Sequence, residues 1–347
     1  MKSLRGSMLV LAGALIALGG CAGDGRTVLT VYSPHGRDLL EHMEKEFERA
    51  HPEIDVQWLD VGSQEVLERI RAERVNPQAD VWFGAPAEAF ERAAREGLLE
   101  PFTPSWAGAI SSDARDPEDR WFGTYLTPEV IAYNAEALTR EEAPQDWDDV
   151  LDPKWEGKVL IRDPIASGTM RAIFGLMIQR SIERTGSPEE GYAWLRQLDV
   201  NTREYTLNPT ILYQKLARRE GLITLWNMPD IATLKQRRGL PIDYIIPSSG
   251  TPLLVDGIAI VANAKQPAAA RLYYEFVTST ELLVDAAERF LRIPARTDIP
   301  EESLPQWIRD ANAEIRPVRL DRQLMSARLD EWMTYWDSHI RGSGRRR

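Results

Sequence analysis

Short apolar runs alternating with amphipathic ones set the rhythm of the first hundred residues. Residues 27–33 gather Val28, Leu29, Val31 and Tyr32 and predict a strand; 38–50 follow with Leu39, Leu40, Met43 and Phe47 at helical spacing. The pair recurs as a strand at 54–59, broken by Gly62-Ser63, and a helix at 65–74 built on Val66, Leu67 and Ile70. It recurs again as a strand at 80–84 and a helix at 86–96 ending at Gly97. This β-α-β-α-β-α order predicts an α/β fold with a mainly parallel sheet covered on both faces.

A second unit begins beyond the Pro- and Trp-rich stretch 101–106. Residues 121–134 read as extended, 146–155 as a helix and loop, and 158–161 as a buried strand running into Arg162-Asp163-Pro164. Helices are predicted at 168–184, 188–198, 209–219 and 231–238, with strands at 222–226, 242–246 and 255–262. From Pro267 to about Arg341 the pattern is helical, and no repeat of fixed period is visible.

The N-terminus changes the picture. Lys2 and Arg5 precede an uncharged apolar run, 7–18, which matches a secretory signal peptide. It falls short of the roughly 20 residues that span a bilayer. Cys21, the single cysteine, follows Leu18-Gly19-Gly20 and resembles the lipobox of bacterial lipoproteins, which implies cleavage after residue 20 and a lipid on the Cys21 thiol. Residues 21–26 would then be a tether and 342–347 a disordered basic tail. No disulfide can form in the mature chain, so packing alone must hold the fold. A formal charge of -11 with interspersed basic residues argues against nucleic acid as a partner. Enzyme signatures are missing too: there is no Gly-x-Ser-x-Gly, His-Glu-x-x-His or P-loop, and His35, His42, His51 and His339 are scattered.

Several segments in order carry a family resemblance over nearly the whole chain. They are TVLTVYSPHG (27–36), FERAHPEIDVQW (47–58), GSQEVLERIRAERVNPQADVWFG (62–84), EGLLEPF (96–102), TYLTPEVIAYN (124–134), WEGKVLIRDPIASGT (155–169), LLVDGIAIVANAKQPAAARLYYEFVTS (253–279) and RIPAR (292–296). The chain resembles the extracellular solute-binding proteins of bacterial ABC importers, in the branch that includes ferric-iron, phosphonate and sugar-phosphate binders. That resemblance implies a type II periplasmic-binding-protein fold: two α/β lobes around a cleft, with the chain crossing between them near 125–128 and 255–258. Lobe 1 would combine 27–124 and 258–341, and lobe 2 would be 125–257. It further implies a monomer without cofactor or catalysis, which captures a small solute and hands it to membrane permease subunits.

Loops at strand ends are where ligands sit in such sheets, and they supply the candidate site. Ser33, His35 and Gly36 leave the first strand; Ser63 opens a helix; Gly84 and Ala85 leave the third strand; Ser167, Gly168 and Thr169 open an apolar helix in lobe 2. Helix starts expose N–H groups and partial positive charge, which favours an anionic solute such as a phosphorylated sugar or a phosphonate. Taken alone, Ser63 and Ser167 read first as simple helix caps, a role that can coexist with ligand binding. Arg162 and Arg171 read as ion pairs or anion contacts. Trp226, Asn227, Asp230 and Asp256 occupy places that resemble polar solute-binding positions in sugar-phosphate members of the branch. Ferric-iron members carry adjacent tyrosines near 226–230 and this chain has none there; Tyr273-Tyr274 lies within a predicted helix and reads as structural. Iron, alone or complexed, remains the alternative solute. A ligand-sensing lipoprotein or an enzyme on the same fold stands behind it.

Overall fold

The computed structural model describes residues 25–344. The expected signal peptide 1–20, Cys21 and most of the expected tether lie outside the described residues, as do 345–347. At the start of the described chain Arg26 is already fixed, pairing with Glu48 at 3.2 Å and Asp55 at 3.0 Å.

Three strand–helix pairs open the fold: β1 (Thr27–Ser33) and α1 (Arg37–Ala50), β2 (Ile54–Asp60) and α2 (Ser63–Ala72), β3 (Val81–Pro86) and α3 (Ala87–Arg95). β1 lies between β2 and β3, parallel to both. The strand pleat sorts the side chains. Leu29, Val31, Val81 and Phe83 enter one core with α1, while Tyr32 and Trp82 enter another with α2 and α3. Burial on both faces explains why these strands read as almost continuous apolar runs.

After the two-residue β4 (Leu99–Glu100), the long β5 (Phe122–Asn134) leads into the second half. That half contains β6 (Val159–Arg162), α4 (Gly168–Thr185), α5 (Glu189–Asn201), β7 (Thr202–Thr206), α6 (Pro209–Ala217), β8 (Ile223–Asn227), α7 (Met228–Arg238) and β9 (Ile242–Ile245). β10 (Thr251–Val261) returns antiparallel to β5, and the strands run in the order β2-β1-β3-β10-β5-β8-β6-β7. β5 pairs with the first half through Phe122 to Leu126, and from Glu129 onward it pairs with β8. β5 and β10 are thus the strands that join two separately cored lobes.

The C-terminal part departs from the continuous helical pattern expected over 267–341. α8 (Pro267–Val277) and α9 (Thr280–Phe290) pack on the first lobe, and Leu291 in the left-handed region, at φ 54°, ends α9. β11 (Ile293–Pro294), α10 (Gln306–Glu314), β12 (Pro317–Val318) and α11 (Arg322–His339) follow, separated by segments that hold Pro300 and Pro305 and cannot continue a helix.

Their packing corrects the assignment of 258–341 to the first lobe. Ala295 and Ile299 belong to the first core, but Ile308, Met325, Leu329, Trp332 and Trp336 belong to the second. The chain therefore passes between the cores once more, outside the sheet. Gly175 of α4 makes the seat for α11: a Cβ there would lie 2.7 Å from Met325 Sδ. Of the expected disordered tail 342–347, the described part is held, since the Gly342 and Gly344 N–H groups both donate to the Asp199 carboxylate at 2.9 Å; the three arginines beyond lie outside the described residues.

Candidate functional site

A cleft of about 790 Å³ opens between the lobes, lined by residues at the carboxyl ends of β1, β2, β3, β6, β7 and β8. Its floor is the pair of joining strands, which contribute Thr127, Leu254 and Asp256. That is where an open α/β sheet binds ligands, because successive loops and helix starts converge there.

In one corner two helix starts meet from opposite lobes. α2 begins after Gly62, with no side chain capping its first turn. α4 begins after Ser167, whose hydroxyl accepts the Met170 N–H at 3.3 Å. A Cβ on Gly168 would sit 2.8 Å from Pro86 Cδ and 3.2 Å from Ser63 Oγ, and one on Gly62 would sit 2.9 Å from the Ala166 carbonyl. The apposition is therefore close enough to require glycine on the second lobe. The buried Arg162 joins this corner, donating to the Thr206 carbonyl at 3.2 Å. Unpaired helix N–H groups and a guanidinium together make the corner electropositive. The start of α1 differs, because the Asp60 carboxylate lies beside it in the cleft lining and offsets its positive end.

In the opposite corner Asp230 is a hub. One carboxylate oxygen accepts from Asn227 Nδ2 at 3.0 Å, Trp226 Nε1 at 3.1 Å and the Tyr213 hydroxyl at 3.0 Å; the other accepts from Arg292 at 3.1 Å. Asn227 also caps α7, its Oδ1 accepting the Asp230 N–H at 2.9 Å. Arg292 comes from the first lobe, beside the His35 carbonyl at 3.4 Å, so the Asp230–Arg292 pair ties the lobes across the cleft. Burial raises the Tyr213 phenol well above its ordinary range, with the Asp230 charge adding to the shift.

On the floor, Asp256 accepts from Thr127 Oγ1 at 2.7 Å, and burial pushes its carboxyl up to about 6. His35 stands edge-on to Phe83 and Tyr125, with ring centroids 4.8 and 5.5 Å away. Burial first, and the Arg292 charge second, drive its pKa well below the usual value, so its ring is neutral. Beneath Thr127 on the same face of β5 lies Glu129, fully buried with neither carboxyl oxygen hydrogen-bonded among the described residues. Burial raises it well above the carboxylate range, which makes it a neutral acid.

Most residues singled out from the sequence meet at this cleft: His35, Gly36, Ser63 and Ala85 from the first lobe; Ser167, Gly168, Thr169, Trp226, Asn227 and Asp230 from the second; Asp256 on the floor. Two do not line it. Ser33 is fully buried and its Oγ accepts the His35 N–H at 3.1 Å. Gly84 has φ 96°, and a Cβ there would fall 2.6 Å from His35 Nε2, so it makes room for that ring instead of a solute. Tyr273 and Tyr274 are core residues, as is Trp82, which stacks on Phe90 at 4.2 Å. Arg171 is buried beside Asp330. Sequence reasoning missed Arg292, Tyr213 and Thr127. The RIPAR segment contained Arg292, but nothing in its local pattern sends that side chain across the cleft.

Comparison with known proteins agrees with this geometry. The family profile described as "Bacterial extracellular solute-binding protein" matches residues 76–314. A probable ABC transporter periplasmic-binding protein of Sinorhizobium fredii is 27% identical over 317 residues, covering 90% of this chain and 86% of its own. A putative 2-aminoethylphosphonate-binding periplasmic protein of Salmonella typhimurium is 29% identical over 256 residues, covering 71% of each. Among solved structures, the periplasmic binding protein AfuA of Actinobacillus pleuropneumoniae, with fructose-6-phosphate bound, superimposes with a TM-score of 0.79 at 24% identity, over 92% of this chain and 99% of that one. The ferric binding protein of Campylobacter jejuni does so with 0.75 at 20% identity, over 89% and 98%. The fold is that of type II periplasmic binding proteins, and the chain belongs to the bacterial extracellular solute-binding proteins, exported proteins that bind a small solute for an ABC importer.

Proposed function

We propose that the solute carries a phosphoryl or phosphonyl head group, held in the corner where α2 and α4 meet. The observation that carries this reading is the convergence of Ser63, Gly168 and Thr169 at two helix starts with Arg162 beside them. The body of the solute would then lie toward Trp226, Asn227 and Asp256, where a hydroxyl or ammonium group can donate to the Asp256 carboxylate. The 2-aminoethylphosphonate named for the Salmonella relative fits this polarity, anionic at one end and cationic at the other. Ser63, Gly168, Thr169, Asn227 and Asp256 are the residues expected to touch it, with the lobes closing as they do so.

Ferric iron is the other reading. It meets an unfavourable donor set: Tyr213 is the one tyrosine among the residues lining the cleft, its hydroxyl is engaged with Asp230, and burial keeps it protonated. Cys21 is proposed to carry a lipid that holds the monomer near its permease, raising their effective concentration.

A thermal-shift screen of 2-aminoethylphosphonate, sugar phosphates, polyamines and ferric citrate tests the head-group reading. A ligand at 100 times its Kd adds about 2.7 kcal/mol to stability. Stabilisation by phosphoryl solutes supports it; stabilisation by ferric ion alone, with a phenolate charge-transfer band, overturns it.

A further inference from the structure

We propose that Asp330, on the exposed face of α11, is a positioning residue that holds the two lobes closed from behind the cleft. The proposal rests on the reading that the lobes open and close around a solute. α11 is docked on the second lobe by its apolar face: Trp336 packs against Phe174 and Tyr205 with centroids 5.6 and 5.1 Å away, and Gly175 admits Met325 and Leu329 against α4. Toward the first lobe its contacts are polar. The Asp330 carboxylate receives both terminal nitrogens of Arg92 on α3, at 3.0 and 2.8 Å. Arg95 reaches the Ser326 carbonyl at 3.2 Å, and Arg322 pairs with Glu91 while lying 5.4 Å over the Trp121 ring.

The chain of contacts through Asp330 has a specific path. Arg171, in the first turn of α4, donates to Asp330, and Arg92 donates in turn to Gln64 Oε1 at 3.4 Å in the first turn of α2. The first turns of the two helices that face each other in the cleft are thus connected behind it by Gln64, Arg92, Asp330 and Arg171. Arg171 and Asp330 both travel with the second lobe, so their pair survives opening and keeps the carboxylate aimed. The Arg92 pair joins the lobes and must break. Because the Asp330 side chain is 58% exposed, this latch is open to screening by salt.

Small-angle X-ray scattering of the protein without solute, at 50 mM and 1 M NaCl, tests it on wild type, Asp330→Ala and Arg92→Gln. At low salt both variants are expected to lower the closed-to-open ratio about fivefold. High salt is expected to open the wild type toward the variants and to leave the variants unmoved. Low-salt scattering of both folded variants identical to wild type overturns the proposal. So does opening in Asp330→Ala alone, which would mark local loosening of α11, since Arg92 sits on the other lobe. 2-Aminoethylphosphonate added to wild type tests the head-group reading separately: if it fails to bind while the salt-dependent opening persists, only that reading falls.

Discussion

Gly168→Ala should weaken solute binding without weakening the fold. The new methyl carbon would stand 2.8 Å from Pro86 Cδ and 2.9 Å from Pro86 Cγ, contacts that real structures relieve by moving apart. Pro86 belongs to the first lobe and Gly168 to the second, so the clash exists only when the lobes are closed. Overpacking of this kind costs about 1–3 kcal/mol, which corresponds to an affinity about 5- to 150-fold lower. In the open form the same methyl is harmless, and alanine at a helix start is no worse than glycine. Calorimetric titration with the tightest solute from the thermal screen, alongside an apo thermal melt, separates the two effects. Pro86→Ala removes the ring atoms that are struck and should restore affinity in the Gly168→Ala background. Unchanged affinity in the single variant, or no rescue in the double, would refute the closed apposition of α2 and α4.

Other consequences follow from the floor, the hub and the C-terminal seat. The Asp256 carboxyl is raised from 3.8 to about 6, chiefly by burial, so the folded state holds its proton more tightly than the unfolded chain. Its contribution to stability is full below about pH 4 and is lost as pH rises through about 6. Asp256→Asn should therefore stabilise the apo protein by about 1–3 kcal/mol at pH 8, with the gain vanishing near pH 4 in urea titrations at both pH values. Asp230→Ala leaves Arg292 buried and unpaired and should cost about 3–5 kcal/mol in urea unfolding; a loss under 1 kcal/mol would show that the hub is dispensable. Gly175→Ala drives a methyl to within 2.7 Å of Met325 Sδ and should lower the melting temperature, by about 1–3 kcal/mol in stability, while leaving solute affinity within about twofold.

The parallel half of the fold was legible because burial on two faces writes itself into sequence. Leu29, Val31, Val81 and Phe83 alternate with Tyr32 and Trp82, and the intervening helices carry one apolar stripe each. Short pieces were not legible. β4, β11 and β12 have two residues apiece and no period to detect, and the middle of β7 holds the exposed Arg203 and half-buried Glu204, which give no strand signal. The placement of α11 was beyond local pattern as well, because Trp332 and Trp336 would suit either core; what decides is the bare backbone of Gly175, more than 150 residues earlier.

Gly36, Ser63, Ser167 and Gly168 line the cleft as their places at strand ends and helix starts led us to expect, whereas long side chains acting at a distance were not legible. Arg292 reaches Asp230 across the cleft from a segment that the sequence pattern gives only as part of a continuous helical stretch. Ser33 and Gly84 show the opposite error: both sit where a ligand contact was expected, yet they serve His35, one by accepting its N–H and the other by leaving space for its ring.

The claim that the cleft recognises a head group is most directly tested by calorimetric titration of solutes in pairs, with and without the phosphorus group. 2-Aminoethylphosphonate would be set against ethylamine, and fructose 6-phosphate against fructose. Saturable binding confined to phosphorus-bearing members, and weakened by Gly168→Ala, is the predicted result. Binding that ignores the head group, or heat released by ferric ion alone, would contradict it.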